Sequence, residues 1–583
     1  MKDSKENIYK TSWRIRNSEK ITKIIGSFSI TEKVIFGFFS LLLIISSLFL
    51  IFKLNDLFLV EVPDYGGSLT EGVLGSPRFI NPLLAISDTD RDLTGLVYSG
   101  LTKIDENGQL VPDLAQSYKI SDDGKVYTFY LKEGLSFQDG RPLTADDVVF
   151  TVEKIKDPTL KSPHKSSWDG ITVKKINDMT VEFDLKQSYS PFIQNTTLGI
   201  LPKEIWKTAS SDEFPFSTYN VHPIGSGPYK VSKIIFTSSG LPSEYDLKPF
   251  DQYSEGKPYI SNVIIKSYQN ESDLLDAYKA GDISSIHGIS PDRLPDLPKS
   301  TKIVTTPLPR VFGVFFNQNS NPALVYKEVR QALDIATDKR QIIDTALAGF
   351  GQIIDEPLPS KETDPNKKIF DSSNIDKAKA LLTKAGWTQN SDGIFQKKDK
   401  KNTTTLSFSI STGAVPELKT AAELLQKQWQ KVGAQVQIKI FEISDLNQNV
   451  IRPRKYDALL FGEIVGQSGD LYPFWHSSQR NDPGLNIAMY TNIKADKILE
   501  DIRATTNKDR QSKLYSDFEK EIGNDTPAIF LYSPHFIYII PNNVHNVSLG
   551  ELTVPAQRFA GISKWYIQTN KVWKIFATKP FEL

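Results

Sequence analysis

The sequence predicts an α/β protein that is built from at least two lobes and carries one apolar segment near its N-terminus. With 583 residues the chain is too long for one hydrophobic core, since cores stop growing at about 250–300 residues. The second half contains a strand, an amphipathic helix and a strand in that order, which is the pattern of a βαβ unit. The apolar segment has no charged residue and is long enough to cross a membrane.

The apolar segment Val34–Phe52 predicts a membrane-spanning anchor. Its residues, about 19 in number, rise about 28 Å as a helix, close to the ~30 Å hydrocarbon core of a bilayer. Lys and Arg are frequent before it, whereas after Lys53 the next cation is Arg78, so the positive-inside rule places residues 1–33 in the cytoplasm and the rest outside. A cleaved signal peptide is the alternative. The run is long for a signal peptide and no small-x-small cleavage site follows it, which favours an uncleaved, single-pass anchor.

Composition excludes several classes of function. Lys and Arg number 69 and Asp and Glu number 69, so the chain lacks the basic excess of a nucleic-acid-binding protein. The absence of cysteine excludes disulfides, thiolate metal sites and a cysteine nucleophile. A hydrophobic content of 39% with 11% aromatic residues is typical of a folded protein rather than a disordered one.

Several elements can be predicted along the exported part. Thr128–Leu131 alternates as a strand does. Thr144 is expected to cap the helix Ala145–Ile155, with Asp147 as the acidic partner of the capping box. A further helix is expected over Asn374–Ala385, closed by a glycine.

The βαβ pattern lies further along the chain. Thr405–Ile410 is a predicted strand, and a helix with a regular apolar stripe follows over about 415–432. Gly433 stands at the helix C-cap, Gln435–Phe441 alternates as the second strand, and Tyr456–Phe461 is the next one. This part of the chain is therefore predicted to be an α/β lobe.

The sequence carries almost no motif that is typical of catalysis. The six histidines are scattered, without an HExxH pair or a His–carboxylate cluster, so we expect no metal site and no cofactor. There is no P-loop and no G-x-S-x-G elbow. Ser226 lies in a Gly-Pro turn without a following helix. We therefore predict that the chain is not an enzyme.

A set of short motifs occurs in one order along the chain and resembles the oligopeptide/dipeptide/nickel solute-binding proteins of ABC importers, known as solute-binding family 5. The resemblance extends over about residues 66–570. The motifs are 110–115 (LVPDLA), 131–140 (LKEGLSFQDG), 142–150 (PLTADDVVF), 223–230 (PIGSGPYK), 280–282 (AGD), 315–317 (FFN), 329–333 (VRQAL), 376–382 (DKAKALL) with 386–387 (GW), 456–457 (YD), 470–475 (DLYPFW) and 526–529 (TPAI).

The resemblance implies a two-lobed clamp of the type II periplasmic-binding-protein fold, with an extra subdomain inserted in the first lobe. It implies a monomeric, extracytoplasmic receptor that binds peptides or peptide-like solutes and delivers them to an ABC permease with a separate ATPase. Crossover strands near Val311–Asn317 and Ala528–Ser533 would form the hinge. The expected organisation is 1–33 cytoplasmic tail, 34–52 membrane anchor, 53–65 linker, 66–105 lobe I, 106–222 inserted subdomain, 223–310 lobe I, 311–530 lobe II and 531–583 return to lobe I with the C-terminal tail.

The ligand-binding residues that the resemblance implies include one clear departure from the family. Members carry an amine-binding Asp shortly after the strand that matches Tyr456–Phe461, whereas here Gly466 stands at that position, or Gln467 if one residue is inserted. The nearest acids are Glu463 and Asp470. The candidate cleft residues are Arg78, Phe79, Asn81, Phe315, Phe316, Asn317, Glu463, Gln467, Asp470, Tyr472 and Trp475.

Structural interpretations of these residues remain open beside the functional ones. Asp470 could cap a turn, Trp475 could pack in a core, and Asn317 could pair within the hinge. Arg78 and its neighbours could form a turn between two prolines. Other functions also remain open: a sensory solute-binding module, a binder of a nickel or other metal chelate, and an anchored hydrolase.

Overall fold

The computed structural model describes residues 22, 24–359, 370–399, 402–466 and 469–577. Two compact units divide the chain: residues 1–64 together with 568–583, and residues 65–567. The helices of eight or more residues in chain order are α1 (Ile30–Phe58), α2 (Asp88–Val97), α3 (Ala145–Lys156), α4 (Glu271–Ala280), α5 (Lys327–Ile335), α6 (Lys339–Ala346), α7 (Ser373–Lys384), α8 (Pro416–Val432), α9 (Ile493–Ala504) and α10 (Lys508–Asp525).

The strands in chain order are β1 (Leu59–Asp64), β2 (Ser68–Leu74), β3 (Thr102–Ile104), β4 (Leu110–Pro112), β5 (Ala115–Ile120), β6 (Val126–Leu131), β7 (Ile171–Asn177), β8 (Thr180–Leu185), β9 (Tyr229–Phe236), β10 (Pro242–Pro249), β11 (Asn262–Tyr268), β12 (Ser285–His287), β13 (Ile303–Pro307), β14 (Arg310–Phe316), β15 (Gly351–Ile353), β16 (Thr388–Gln389), β17 (Phe395–Asp399), β18 (Asn402–Thr405), β19 (Ser407–Gly413), β20 (Gln435–Phe441), β21 (Ala458–Ile464), β22 (Ala528–Ile539) and β23 (Gln568–Trp573).

The first unit consists of α1 and a two-stranded sheet. Ser29 caps α1, and its backbone N–H donates to the Glu32 carboxylate at 2.7 Å, which is one half of a capping box. The helix includes the predicted apolar run and extends beyond it at both ends, up to Phe58. Of the described residues, one helix is long and apolar enough to cross a membrane, over Ile30–Asn55. Strand β1 follows α1 directly and pairs antiparallel with β23 near the C-terminus.

The second unit is organised around a 12-stranded sheet. On one side of the long strand β22 lie β12, β2, β11, β10 and β9, here called the first half-sheet. On its other side lie β14, β21, β19 and β20, here called the second half-sheet. Strand β22 therefore continues from one half-sheet into the other.

Two antiparallel strand segments cross between the half-sheets. The early residues of β22 pair with β14, and its later residues pair with β13. Because β13 and β14 are consecutive in the chain, both crossings run side by side. Between them, the backbone N–H of Leu308 donates to the carbonyl of Pro534 at 3.0 Å, and Ser533 donates to the Leu308 carbonyl. The chain therefore passes from one half-sheet to the other at Pro309, between β13 and β14, and at Pro534, within β22.

The predicted βαβ unit is confirmed. Strands β19 and β20 are parallel, and α8 connects them. Gly433 ends α8 with a φ of 97°, a left-handed conformation that glycine adopts without strain. Strand β21 is also parallel to β19.

The predicted capping of α3 is confirmed too, since the Thr144 N–H donates to the Asp147 carboxylate at 2.9 Å. Helix α3 lies beside a separate four-stranded sheet in the order β5-β6-β8-β7.

A buried charge cluster holds the first half-sheet to the chain that follows β22. The Arg558 guanidinium donates to Glu71 at 2.8 Å and to both oxygens of Asp92 at 2.7 Å, and all three side chains are fully buried. The Tyr538 hydroxyl donates to Glu71 at 2.7 Å. Burial alone would raise the pKa of the Asp92 carboxyl, but the adjacent guanidinium outweighs it and lowers that pKa. Arg558 therefore compensates two carboxylates that no water reaches.

Candidate ligand-binding site

The carboxyl end of β21 lies directly at the crossing between the half-sheets. Ile464, the last residue of β21, pairs with Arg310, the first residue of β14. The backbone N–H of Val465 donates to the carbonyl of Pro309 at 3.1 Å. In open α/β sheets, ligands bind beyond the carboxyl ends of parallel strands. This edge, formed by the ends of β19, β20 and β21, is therefore the candidate site.

Glu463 is the polar residue that stands out at this edge. It lies opposite Val311 on β14 and is only 5% exposed. Among the described residues, its Oε1 atom has no hydrogen-bond partner. Burial raises the pKa of this carboxyl well above its usual range and so favours the protonated form. A buried acid without a partner is costly, and it is suited to receive a cationic group that brings its own hydrogens.

The residue expected to replace the family's acid is a glycine with a special backbone conformation. Gly466 has a φ of 71°, in the left-handed region that favours glycine. The other alignment places the position on Gln467, which lies outside the described residues. Glu463 therefore lies three residues before Gly466, on the strand itself.

Arg310 was not predicted from the sequence. Within the part of the chain that the structure describes, its Nε atom has no partner, and burial lowers the pKa of its guanidinium. Alternation along β14 puts its side chain on the opposite face from that of Val311 and hence of Glu463. A charged residue at the start of a crossover strand was the signal that could have identified it.

Trp475 and Phe315 lie in the core beneath the same face. Their rings are 6.2 Å apart, and neither side chain is exposed. The Trp475 ring also contacts Tyr490, Phe518 and Phe530, with centroid distances of 6.2, 6.5 and 5.8 Å. Its indole N–H has no partner among the described residues. Trp475 thus forms a packed aromatic floor and is not on an open wall.

Asp470 and Tyr472 belong to a cluster around Arg503. The guanidinium binds Asp470 through Nε at 2.9 Å and Nη2 at 2.6 Å, and it lies 3.9 Å from the centre of the Tyr472 ring. Tyr189 packs on it at 5.5 Å, and burial followed by the Asp470 charge raises the pKa of that tyrosine. The Ser190 N–H donates to the Arg503 carbonyl at 3.0 Å. Asp470 is thus already neutralised, and the cluster joins α9 to the segment after β8.

Arg78, Phe79 and Asn81 lie on the segment between β2 and α2. The backbone N–H groups of Arg78 and Phe79 both donate to Asp90, at 2.7 and 2.9 Å. Arg78 is exposed and Phe79 is half-buried. Asn81 is fully buried, and its amide donates to Asn220 at 3.0 Å. Asn81 therefore serves the local fold, whereas Arg78 and Phe79 remain accessible.

Phe316 and Asn317 are at the end of β14 that is remote from the crossing. Phe316 is six residues further along the strand than Arg310, which corresponds to about 20 Å. Phe316 is fully buried, and the Asn317 amide donates to the Arg454 carbonyl at 3.0 Å. These two residues are not among those that the structure brings to the candidate site. The sequence motif marked the strand correctly but not the direction in which it runs.

No metal site is indicated in the described residues, where no group of three or more His, Cys, Asp or Glu side chains is arranged to hold an ion. The candidate site instead has the Glu463 carboxyl on one face of the sheet and the Arg310 guanidinium on the other, and the rings of Phe315 and Trp475 are buried in the core beneath the Glu463 face. Such a carboxyl can bind an organic cation by desolvation and hydrogen bonding.

Comparisons with known proteins agree on one family. The profile described as "Bacterial extracellular solute-binding proteins, family 5 Middle" matches residues 109–484. The oligopeptide-binding protein AppA of Bacillus subtilis (strain 168) is 32% identical over 519 residues, which covers 87% of this chain and 92% of AppA.

Two solved structures also resemble the chain. The structure of AppA from Bacillus subtilis in complex with a nonapeptide has a TM-score of 0.64 at 30% identity and covers 87% of this chain and 100% of that one. The structure of NikZ from Campylobacter jejuni in complex with Ni(L-His) has a TM-score of 0.66 at 28% identity. It covers 86% of this chain and 99% of NikZ.

Proposed function

The chain belongs to the bacterial extracellular solute-binding proteins of family 5, and on this premise we propose that it is a peptide receptor of an ABC importer. It binds peptides or peptide-like solutes between the two half-sheets and delivers them to a separate permease and ATPase. The observation that carries the proposal is Glu463, a buried carboxyl at the crossing between the half-sheets whose Oε1 atom has no hydrogen-bond partner among the described residues. The similarity to a protein solved with a nonapeptide supports the peptide as the ligand.

Peptide chemistry fits this site. An extended peptide presents N–H and C=O groups that strand edges satisfy whatever its side chains are. Its ammonium terminus, or a Lys or Arg side chain, supplies a cation that can pair with the Glu463 carboxylate. Meeting a cation lowers the pKa of the carboxyl, which then gives up its proton and forms charge-assisted hydrogen bonds.

Closure about the paired crossings is the proposed movement. The two half-sheets are the cores of two lobes, and their hinge is at the Leu308–Pro309 and Ser533–Pro534 steps. The four-stranded sheet of β5 to β8 belongs to an inserted subdomain of the first lobe. A ligand that touches both lobes stabilises the closed form because only that form makes both sets of contacts.

The proposed location is the outer face of the cell membrane. Helix α1 serves as an uncleaved anchor with its N-terminus in the cytoplasm, and residues 65–567 are extracytoplasmic. The chain acts as a monomer. Relatives in the family are solute-binding proteins, and we propose that this chain has no catalytic activity and needs no cofactor.

A metal chelate is the second candidate ligand, because the similar NikZ was solved with Ni(L-His). The two ligands make different demands on Glu463. An amine that coordinates a metal has no free ammonium to pair with the carboxyl, whereas a free peptide does. Replacement of Glu463 by glutamine would therefore leave chelate binding unchanged and weaken the binding of free peptides.

The test is ligand-dependent closure of the full chain. Because the protein has no cysteine, two can be introduced for dyes without further changes. Lys248→Cys on β10 and Lys431→Cys on α8 report on the two half-sheets. A peptide pool is expected to raise energy transfer between the dyes. In the matched control, Lys384→Cys with Lys431→Cys, both dyes are on the second half-sheet side and transfer stays constant. Unchanged transfer in the first pair contradicts the proposal.

A further inference from the structure

The C-terminal segment is fixed to the outer end of α1. Strand β23 pairs with β1 along its whole length, from Gln568 opposite Asp64 to Trp573 opposite Leu59. The ladder continues one step further, where the backbone N–H of Lys574 donates to the carbonyl of Phe58, the last residue of the helix, at 2.7 Å. The C-terminal strand of a chain of 583 residues therefore ends beside the residue at which α1 ends.

A patch of large apolar side chains surrounds this junction. The Phe58 and Trp573 rings stack with their centroids 6.3 Å apart. The next residues form a turn, in which the Phe576 N–H donates to the Trp573 carbonyl at 2.7 Å. The exposed fractions are 55% for Phe58, 47% for Trp573, 77% for Ile575 and 73% for Phe576. An ordered turn that presents such side chains to water is unfavourable, and such patches mark surfaces that bind something else.

The composition of the patch matches the membrane interface. Tryptophan and other aromatic residues concentrate where hydrocarbon meets head groups, and lysines extend from there to the lipid phosphates. Here Lys571 and Lys574 flank the aromatic residues and are exposed. The patch is also continuous with the exposed apolar surface of α1, which argues for the bilayer as the occupant and against a protein groove.

The position of the patch along α1 agrees with this. Phe52 ends the run without charges, and Phe58 lies six residues further along the same helix, which is about 9 Å along the axis. A bilayer of 40–45 Å with a hydrocarbon core of ~30 Å has a head-group layer of about 5–8 Å on each side. A typical tilt of about 20° shortens the rise slightly. Phe58 and the turn beside it therefore lie at about the outer edge of the head-group layer, which their side chains can reach.

We infer that the C-terminal turn Trp573–Phe576 inserts into the interfacial layer of the leaflet from which α1 emerges. The chain then touches the bilayer at a second point beside its anchor, through β23 held on β1. This inference rests on the proposed anchoring by α1. Two contacts joined by a β-ladder would restrict rotation of the junction about the α1 axis, which a helix alone leaves free.

A fluorescent label on the turn tests the inference. The variant Phe576→Cys carries the sole cysteine and is labelled with an environment-sensitive dye, in the full chain reconstituted in nanodiscs of phosphatidylcholine and phosphatidylglycerol. Lipids with a nitroxide at head-group level are expected to quench most of its emission, since interfacial apolar residues lie about 5–10 Å deep. The control is Gln568→Cys, an exposed position of the same unit at the end of β23 remote from α1, which should keep its emission.

A third label separates the inference from the anchor on which it depends. Leu43→Cys lies in the middle of α1 and is expected to be quenched by lipids with the nitroxide deep in the acyl chain. If Leu43→Cys is quenched and Phe576→Cys behaves like Gln568→Cys, the turn faces water or protein and the inference is overturned while the anchor stands. If Leu43→Cys is not quenched, both the anchor and the inference are overturned.

Discussion

Replacing Glu463 with glutamine is expected to weaken the binding of peptides that carry a free ammonium group. Glu463 is only 5% exposed, and the Oε1 atom of its carboxyl has no hydrogen-bond partner among the described residues. Glutamine has the shape of the protonated acid, so the fold is expected to tolerate it. In the unfolded chain the Glu463 carboxyl ionises above about pH 4.3, whereas in the folded chain it keeps its proton because burial raises its pKa. The free energy of unfolding therefore falls as the pH rises above about 4.3. Replacement of Glu463 by glutamine is thus expected not to destabilise the protein at neutral pH.

The magnitude follows from the kind of bond that is lost. A hydrogen bond to a charged group contributes about 1.5–3 kcal/mol, which corresponds to a loss of about 10- to 150-fold in affinity. Because binding converts a protonated carboxyl into a carboxylate, the wild-type chain should release a proton. Affinity should therefore rise with pH until the raised pKa of free Glu463 is passed.

Calorimetry measures both effects. Titration of one peptide in two buffers with different ionisation enthalpies counts the protons released, and an N-acetylated form of that peptide removes the ammonium group. The wild type should favour the free amine, and Glu463→Gln should bind both forms with similar affinity and release no proton. If Glu463→Gln lost equal affinity for the free and the N-acetylated peptide, or if it still released a proton on binding, Glu463 would not contact the amine.

Three further predictions concern stability. Arg558→Met removes the guanidinium that pairs with the buried carboxylates of Glu71 and Asp92 and should lower the free energy of unfolding by about 3–5 kcal/mol in urea denaturation; a loss below about 1 kcal/mol would contradict the compensating role. Arg503→Gln should cost clearly less in the same assay, because its pair with Asp470 is partly exposed to solvent, and an equal cost would contradict that distinction. Burial and the nearby Glu356 raise the pKa of Glu519 to about 7, so the folded chain holds a proton that the unfolded chain loses near pH 4.5. The contribution of Glu519 to the free energy of unfolding therefore falls between pH 4.5 and 7, and Glu519→Gln should flatten the dependence of that free energy on pH in this range. An unchanged pH dependence would refute the assignment.

Elements governed by local signals were predictable from the sequence. The capping pair Thr144 and Asp147 defines the start of α3, and Gly433 the end of α8, because each acts through a few neighbouring backbone groups. The parallel pairing of β19 and β20 follows from the helix between them.

Contacts between distant parts of the chain were not predictable. Arg558 meets Glu71 at a separation of 487 residues, and no local pattern marks either residue as the partner of the other. The C-terminal strand could not be recognised because its partner β1 lies at the other end of the chain. The motif that contains Asn317 identifies a strand but not which end of that strand lies at the crossing between the half-sheets.

The candidate site shows the same division. The family motif drew attention to Glu463 and Asp470 as the nearest acids, but only the structure distinguishes them. Asp470 is bound by Arg503 at 2.6 Å, whereas the Oε1 atom of Glu463 has no partner in the described part of the chain. Arg310 escaped notice because burial of a guanidinium depends on neighbours from other elements.

Native mass spectrometry of the full chain is the decisive experiment for whether this protein is a peptide receptor. The protein is purified in mild detergent without refolding and then challenged with a random peptide pool. We expect peptides to co-purify with the chain or to be captured from the pool, with those that carry a free ammonium group enriched. Capture of a sugar or a metal chelate instead, or no capture at all from the pool, would contradict this expectation.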